Sequence, residues 1–259
     1  MLKEMSKKGM IGMLFLMMAS SFCHAQKFCR HMKMNQEYAT QNTIDSRADT
    51  FDVLHYRIDA SFLNYTIDKN ETSQMRLDLL ELPVSSVSVN GQSAAFNYNS
   101  PNLVIDLDNV KSGDTLQVVV SYEGKPLQDP QWGGFYFSGK YAFNLGVGFA
   151  SDPHNFGRVW FPCFDNFTDR ATYDFLIRVD SSYKAYANGL LQKITKNSDQ
   201  TETFYWQMDD PIPTYLAAVA IAPYEEIRMS VDGIPVILTA LASDTANLRK
   251  SFENLPTCI

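Results

Sequence analysis

The chain has 259 residues, with 22 Lys and Arg against 29 Asp and Glu and a formal net charge of −7. No basic cluster lies beyond the first residues, which excludes nucleic acid as an expected partner. Aromatic residues make up 13 % of the chain, a share that suits sheets better than helical bundles.

Lys3, Lys7 and Lys8 precede an apolar run from Met10 to Ala19, and Cys23-His24-Ala25 fits a small-x-small cleavage site before Gln26. The run is too short for a bilayer, which takes about 20 residues to span. Residues 1–25 therefore read as a secretory signal peptide. The mature chain is expected to be exported, periplasmic or extracellular, with no integral membrane span after signal removal. Cys29, Cys163 and Cys258 remain in it, an odd number that does not make a disulfide framework.

Residues 26–50 form a polar lead-in with no sustained period. From Phe51 the pattern changes. Leu54, Tyr56, Ile58, Ala60 and Phe62 alternate with His55, Arg57, Asp59 and Ser61, which predicts one half-buried strand. Shorter strands are predicted near Met75 to Leu79, Val84 to Val89, Leu103 to Leu107 and Leu116 to Tyr122. Asn90-Gly91 marks a hairpin, since both central positions of a type I′ turn need positive φ.

Trp132, Phe135, Tyr136 and Phe137, with Gly133, Gly134 and Gly139, allow two readings. They fill the core from a hairpin, or they form an exposed platform on which sugar or peptide stacks. Farther on, Tyr173, Phe175, Ile177 and Val179 alternate with polar residues, Asn188-Gly189 supplies another turn, and Phe204, Trp206 and Met208 share a strand face. Pro211 to Ile221 is nearly continuous apolar sequence, as in a strand covered on both faces. Gly233 to Leu238 reads as a strand, and Ser243 or Asp244 can cap one helix carrying Leu248, Phe252 and Leu255. Strands punctuated by turns argue for an antiparallel sandwich or a large twisted sheet.

Four segments in order carry a resemblance. They are Phe51-Asp-Val-Leu-His-Tyr-Arg-Ile-Asp59, the strand and turn Gly157-Arg-Val-Trp-Phe-Pro-Cys-Phe-Asp-Asn166 with Asp169 and Arg170, Tyr186-Ala-Asn-Gly-Leu190, and Pro211-Ile-Pro-Thr-Tyr-Leu216. Together they resemble the first domain of the aminopeptidase N family of zinc metallopeptidases. The resemblance implies an all-β fold, a large antiparallel saddle-like β-sandwich over residues 51–229. Residues 230–259 would then be the first strand and helix of a truncated thermolysin-like α/β catalytic domain. It also implies structural roles for Arg158, Trp160, Pro162, Cys163, Asp165, Asp169 and Arg170.

Members of that family place a Gln or Glu shortly before the Pro-Cys-Phe-Asp turn, where it holds the substrate's free amino group. Gly146 to Asn155 contains neither residue. Asp152 is the nearest carboxylate, with His154 and Asn155 behind it, and these three are the candidate substrate-binding residues. The family's zinc helix needs H-E-x-x-H, whose two His share one helix face. His31, His55 and His154 are isolated, so no catalytic or metal-ligating residue is assigned and no cofactor is expected in this chain. Zinc is expected in the complete protein, with a peptide substrate and the missing catalytic domain as partners. Asp165, Asn166 and Asp169 crowd one turn without calcium-loop spacing, and caps on backbone amides are expected there. The function read from the sequence is a non-catalytic N-terminal fragment of an exported zinc aminopeptidase-like protein. The alternative is a stand-alone extracellular β-sandwich module that binds peptide or glycan.

Overall fold

The structure, a computed structural model, describes residues 51–58, 62–67, 73–108 and 110–258. The expected signal peptide and polar lead-in, with Cys29 and His31, lie outside the described residues. Strand β1 (Phe51–Ile58) is paired antiparallel with β2 (Phe62–Ile67), with Arg57 opposite Phe62. The single strand expected from Leu54 to Phe62 is therefore two. Alternation carries on across the reversal, so the period alone does not reveal the turn.

The following strands are β3 (Gln74–Asp78), β4 (Val84–Val89), β5 (Gln92–Ser93), β6 (Phe96–Asn99), β7 (Asn102–Asp106), β8 (Thr115–Tyr122), β9 (Gly134–Ser138) and β10 (Tyr141–Leu145). Then come β11 (Ala171–Asp180), β12 (Lys184–Ala187), β13 (Leu190–Lys196), β14 (Thr201–Ile212), β15 (Val219–Ala222), β16 (Tyr224–Val231) and β17 (Ile234–Leu241). They form an all-β structure of four sheets. Eight strands are ordered β13-β14-β11-β1-β2-β8-β4-β5, three are ordered β3-β7-β6, four are ordered β12-β15-β10-β9, and β16 pairs with β17. Neighbours run antiparallel throughout, except that β1 and β11 are parallel, with His55 opposite Thr172. β13 is an outer strand of the large sheet, and all seven of its residues are exposed.

Asn90 and Gly91 have φ of 50° and 79° and close β4 onto β5, with Val89 opposite Gln92. Asp232 and Gly233, at 48° and 84°, do the same for β16 and β17. That Asp-Gly pair is an equally good hairpin signal. It shows that Met229 and Ser230, on either side of the expected domain boundary, both lie inside β16.

Period-two alternation builds the core. Met75 and Leu77 of β3, Leu103 and Ile105 of β7, Val118 and Val120 of β8, and Tyr173 and Phe175 of β11 are fully buried in one cluster. That cluster joins the three-stranded and eight-stranded sheets. Tyr173 and Phe175 stack with ring centroids 5.6 Å apart, and burial pushes the Tyr173 phenol well above its usual range.

The apolar run from Pro211 to Ile221 is not one strand. β14 ends at Ile212, a 3-10 turn follows over Thr214–Leu216, and β15 starts at Val219. Pro213 has no N–H for a ladder, and Leu216 is exposed. The single C-terminal helix is likewise two short pieces, α1 (Thr245–Ser251) and α2 (Leu255–Cys258). Asp244 stands at the first N-cap without a side-chain cap bond, and Phe252 falls beyond the first helix rather than inside it. Among the described residues no helix is long and apolar enough to cross a membrane.

Glu226 ties β16 to β12. It accepts a hydrogen bond from the Tyr186 hydroxyl at 2.6 Å and one from Arg228 Nε at 2.8 Å, with Lys184 Nζ 3.7 Å away. Burial, followed by the bond to Glu226, pushes the Tyr186 phenol well above its usual range.

Leu77→Ala is expected to lower unfolding stability by about 2–5 kcal/mol, because it empties a site in the middle of the core. Ile194→Ala on exposed β13 is expected to stay within about 0.5 kcal/mol of wild type. Urea titration followed by circular dichroism checks both.

Candidate functional site

Gly157 to Asn166 is held by the end of β3. Gly157–Val159 forms a 3-10 turn, and Cys163 sits in an isolated bridge with Asp78. The Asp78 N–H donates to Cys163 O at 2.7 Å, and the Cys163 N–H returns to Asp78 O at 3.0 Å. The Leu80 N–H donates to Arg158 O at 2.8 Å, and the Asp165 N–H to Asp78 Oδ2 at 3.1 Å. The strand expected around Cys163 is thus a turn with one bridge, since two residues of pairing do not extend into a ladder.

Asp165 is the buried centre of this turn. Its Oδ1 accepts from Thr214 Oγ1 at 2.6 Å, and its Oδ2 accepts from the Arg158 N–H at 3.1 Å and Nη1 at 3.2 Å. Arg158 Nη1 also reaches Asn155 O at 2.8 Å, Nη2 reaches Pro153 O at 3.3 Å, and the Asn155 side-chain nitrogen donates to Asp165 O. Trp160, Pro162 and Cys163 are buried around it, and the Tyr122 hydroxyl donates to Trp160 O at 3.0 Å. Burial pushes that phenol well above its usual range. Asn166 Oδ1 accepts from the N–H groups of Thr168 and Asp169, so its carboxamide caps the turn. Asp169 is buried, whereas Arg170 is exposed.

The three candidate substrate-binding residues do not share one environment. Asp152 and His154 are exposed, whereas Asn155 is buried and engaged with Asp165. His154 Nδ1 lies 2.9 Å from Gly148 O, a hydrogen bond when Nδ1 carries the proton, and the Gly148 N–H donates back to His154 O at 2.8 Å.

What fixes this loop is Asp129, a residue the sequence reading passed over. Its Oδ1 accepts from the N–H groups of Gln131, Trp132 and Ala150 at 2.9, 3.0 and 3.1 Å, and its Oδ2 accepts from Ser151 Oγ at 2.7 Å. Burial works against its charged form. The bonds from Trp132, Ser151, Ala150 and Gln131 outweigh that and hold the carboxyl well below the usual carboxylate range. Gly133 completes the seam, because a Cβ there would stand 1.7 Å from Val147 O. An Asp opening a Pro- and Gly-containing turn was the available signal.

The four aromatics divide between the two readings. Phe135 is buried, and Tyr136 stacks on Phe143 at 5.2 Å while its hydroxyl accepts the Gly133 N–H at 2.8 Å. Phe137 is exposed. Trp132 is also exposed, paired with exposed Phe149 at 4.9 Å between ring centroids. Among the described residues no group of three or more His, Cys, Asp and Glu is placed to hold a metal ion.

A family model described as the Peptidase M1 N-terminal domain matches residues 33–216. The chain belongs to this family. Leucine aminopeptidase 2 of Yarrowia lipolytica is 30 % identical to it over 170 residues, which cover 59 % of this chain and 23 % of that protein. Transcription initiation factor TFIID subunit 2 of Danio rerio is 26 % identical over 155 residues, covering 55 % of this chain and 13 % of that protein. Among solved structures, an M1 zinc metallopeptidase from Deinococcus radiodurans bound to a Tyr-Ser-Ala substrate gives a TM-score of 0.61 at 23 % identity, over 76 % of this chain and 52 % of that one. Aminopeptidase A of Legionella pneumophila gives 0.60 at 16 %, over 76 % and 24 %. Those two likenesses show the fold alone. This M1 N-terminal domain chain spans less than a quarter of the two curated relatives' length and about half of the Deinococcus chain.

Within the M1 N-terminal domain, Asp165→Ala is expected to cost about 3–5 kcal/mol, because it leaves the Arg158 charge without its buried partner. Thr214→Val removes one hydrogen bond to a buried charged oxygen and is expected to cost about 2 kcal/mol. Urea titrations of both variants check this order.

Asp129 has a depressed carboxyl pKa in the folded chain, against an unfolded value of about 3.9. Its stabilisation is therefore fully present above that value and is lost as pH falls through the folded one. Asp129→Asn is expected to lower the urea midpoint at pH 7, with the gap to wild type closing as the pH drops below about 4. Midpoints measured across that range test the sign.

Proposed function

We propose that this chain is the non-catalytic N-terminal domain of an exported zinc aminopeptidase-like protein, and that its 146–155 loop receives the amino end of a peptide. The observation that carries the reading is the exposed Asp152 carboxylate, set on a loop that Asp129 and Arg158 pin on either side. A carboxylate so placed complements a protonated amine. His154 lies two residues on, with Nδ1 2.9 Å from Gly148 O. Asn155 serves from beneath, holding the loop to the Asp165 turn.

Among the described residues no group of His, Cys, Asp and Glu side chains fits a zinc ion. In this reading zinc is held by a catalytic domain outside this chain. Exposed Ile234, Ile237 and Phe252, on β17 and just past α1, belong to the first part of the surface that such a domain covers. A second reading, a stand-alone extracellular module binding peptide or glycan, is favoured by the exposed Trp132 and Phe149 pair.

Export and catalysis are tested separately. Mass spectrometry of the native protein is expected to find a mature N-terminus at Gln26 outside the cytoplasm, and an intact Met1 terminus in the cytoplasm would overturn export. The purified chain is expected to hold substoichiometric zinc after dialysis and to release no amino acid from peptides. Stoichiometric zinc together with chelator-sensitive release would overturn the non-catalytic assignment.

A further inference from the structure

Two Asn-Gly pairs close turns in this chain, and they sit in opposite surroundings. Asn90 and Gly91 are exposed between β4 and β5, and a Cβ built on Gly91 would meet nothing within 4 Å. β5 is two residues long and ends the eight-stranded sheet, so little ladder holds this turn shut. Asn188 is half-buried between β12 and β13, with Ala187 paired to Val219 on one side and Leu190 to Gln207 on the other. Gly189 is wedged there, because a Cβ would stand 2.0 Å from Gln207 O. In both pairs the Asn Oδ1 accepts a backbone N–H, that of Gln117 at 2.9 Å for Asn90 and that of Ala218 at 2.6 Å for Asn188. Such a donor draws electrons from Cγ and holds the oxyanion that attack there would form. Activation of the carboxamide is therefore shared, and the freedom of the following glycine is what separates the two.

We propose that Asn90-Gly91 is a site of spontaneous deamidation, and that its isoaspartate product frees β5 from the large sheet. The Gly91 nitrogen attacks Asn90 Cγ, its proton passes to Nδ2, and the Cγ–Nδ2 bond breaks to release ammonia. Water then opens the resulting succinimide at either of its two carbonyls, leaving aspartate or isoaspartate, with no change of oxidation state. Groups held side by side in one chain react fast once their geometry allows. This pair reaches that geometry by leaving its hairpin conformation, with φ of 50° and 79°, and short exposed pieces of structure open most readily. Isoaspartate carries the main chain through the side-chain methylene, which makes the loop one atom longer. A two-residue loop has no slack for that atom, so the pairing of Val89 with Gln92 and of Ser88 with Ser93 is lost. β4 then becomes the outer strand of the sheet. Either product also adds one negative charge to a chain at −7.

The purified chain is incubated in mildly alkaline buffer, native and in urea. Peptides are then mapped by mass spectrometry with electron-transfer fragmentation, which tells isoaspartate from aspartate. In the native chain Asn90 is expected to convert about tenfold or more faster than Asn188, because the clamp on Gly189 must open first. In urea the two rates are expected to converge. Equal native rates, native conversion led by Asn188, or conversion of Asn90 confined to urea would overturn the site, as would no conversion in either state. The converted chain is separated by anion exchange, and hydrogen exchange is read at the Ala94 N–H, which donates to Val87 O at 3.0 Å beside β5. Exchange there is expected to rise in the isoaspartate fraction. It is expected to stay at the wild-type level in Asn90→Asp, which supplies the charge without the added atom. Unchanged exchange in the isoaspartate fraction would leave the modification site standing and overturn the release of β5.

Discussion

A carboxylate buried without compensation destabilises any fold that contains it, so Asp165 dictates the arrangement of its neighbours. Its oxygens are satisfied by Thr214 just beyond β14, and by the backbone and guanidinium of Arg158 in the 3-10 turn. Its own N–H is taken by Asp78 at the end of β3. Three stretches distant in sequence therefore meet at one side chain. Through Arg158 the constraint runs on to the carbonyls of Pro153 and Asn155. The loop that carries Asp152 and His154 is positioned from below by the ion pair that closes the core.

Sequence and structure agree where burial is one-sided. Met75 and Leu77, or Tyr173 and Phe175, announce their strands because period two maps directly onto inside and outside. Agreement is lost where pattern and chain direction separate. The alternation through Phe62 crosses a reversal, and the apolar run after Pro211 hides a 3-10 turn that a missing proline N–H permits. Asp232-Gly233, by contrast, announced its hairpin openly, with a pair of positive φ values like that of Asn90-Gly91.

The candidate site was legible in part. The signature around Asp165 was recognisable because Arg158, Trp160, Pro162 and Cys163 stand close to it in the chain, whereas its partners Thr214 and Asp78 lie far off in the sequence. Asp129 leaves almost no such signature, since most of its partners are backbone N–H groups, which any residue supplies. Its partners at Ala150 and Ser151 also lie beyond an entire hairpin, β9 to β10. The aromatic run mixed two fates for a related reason. Phe135 and Phe137 are two apart in one strand, yet one reaches the core and the other runs past its edge.

The parallel pairing of β1 with β11 sets an order of assembly. β1 can join β2 as soon as both have emerged, since they are neighbours in the chain. Its other flank stays open until Thr172 reaches His55, after β3 to β10 have been made. Long-range pairing of this kind closes late and leaves a half-built sheet exposed in the meantime. A nascent chain interrupted before residue 171 would present an unfinished edge in the middle of what should become its largest sheet. β11 in turn leaves its outer side open until β14 is made, so the completion of β14 is the point in synthesis after which the middle of this sheet is covered on both sides.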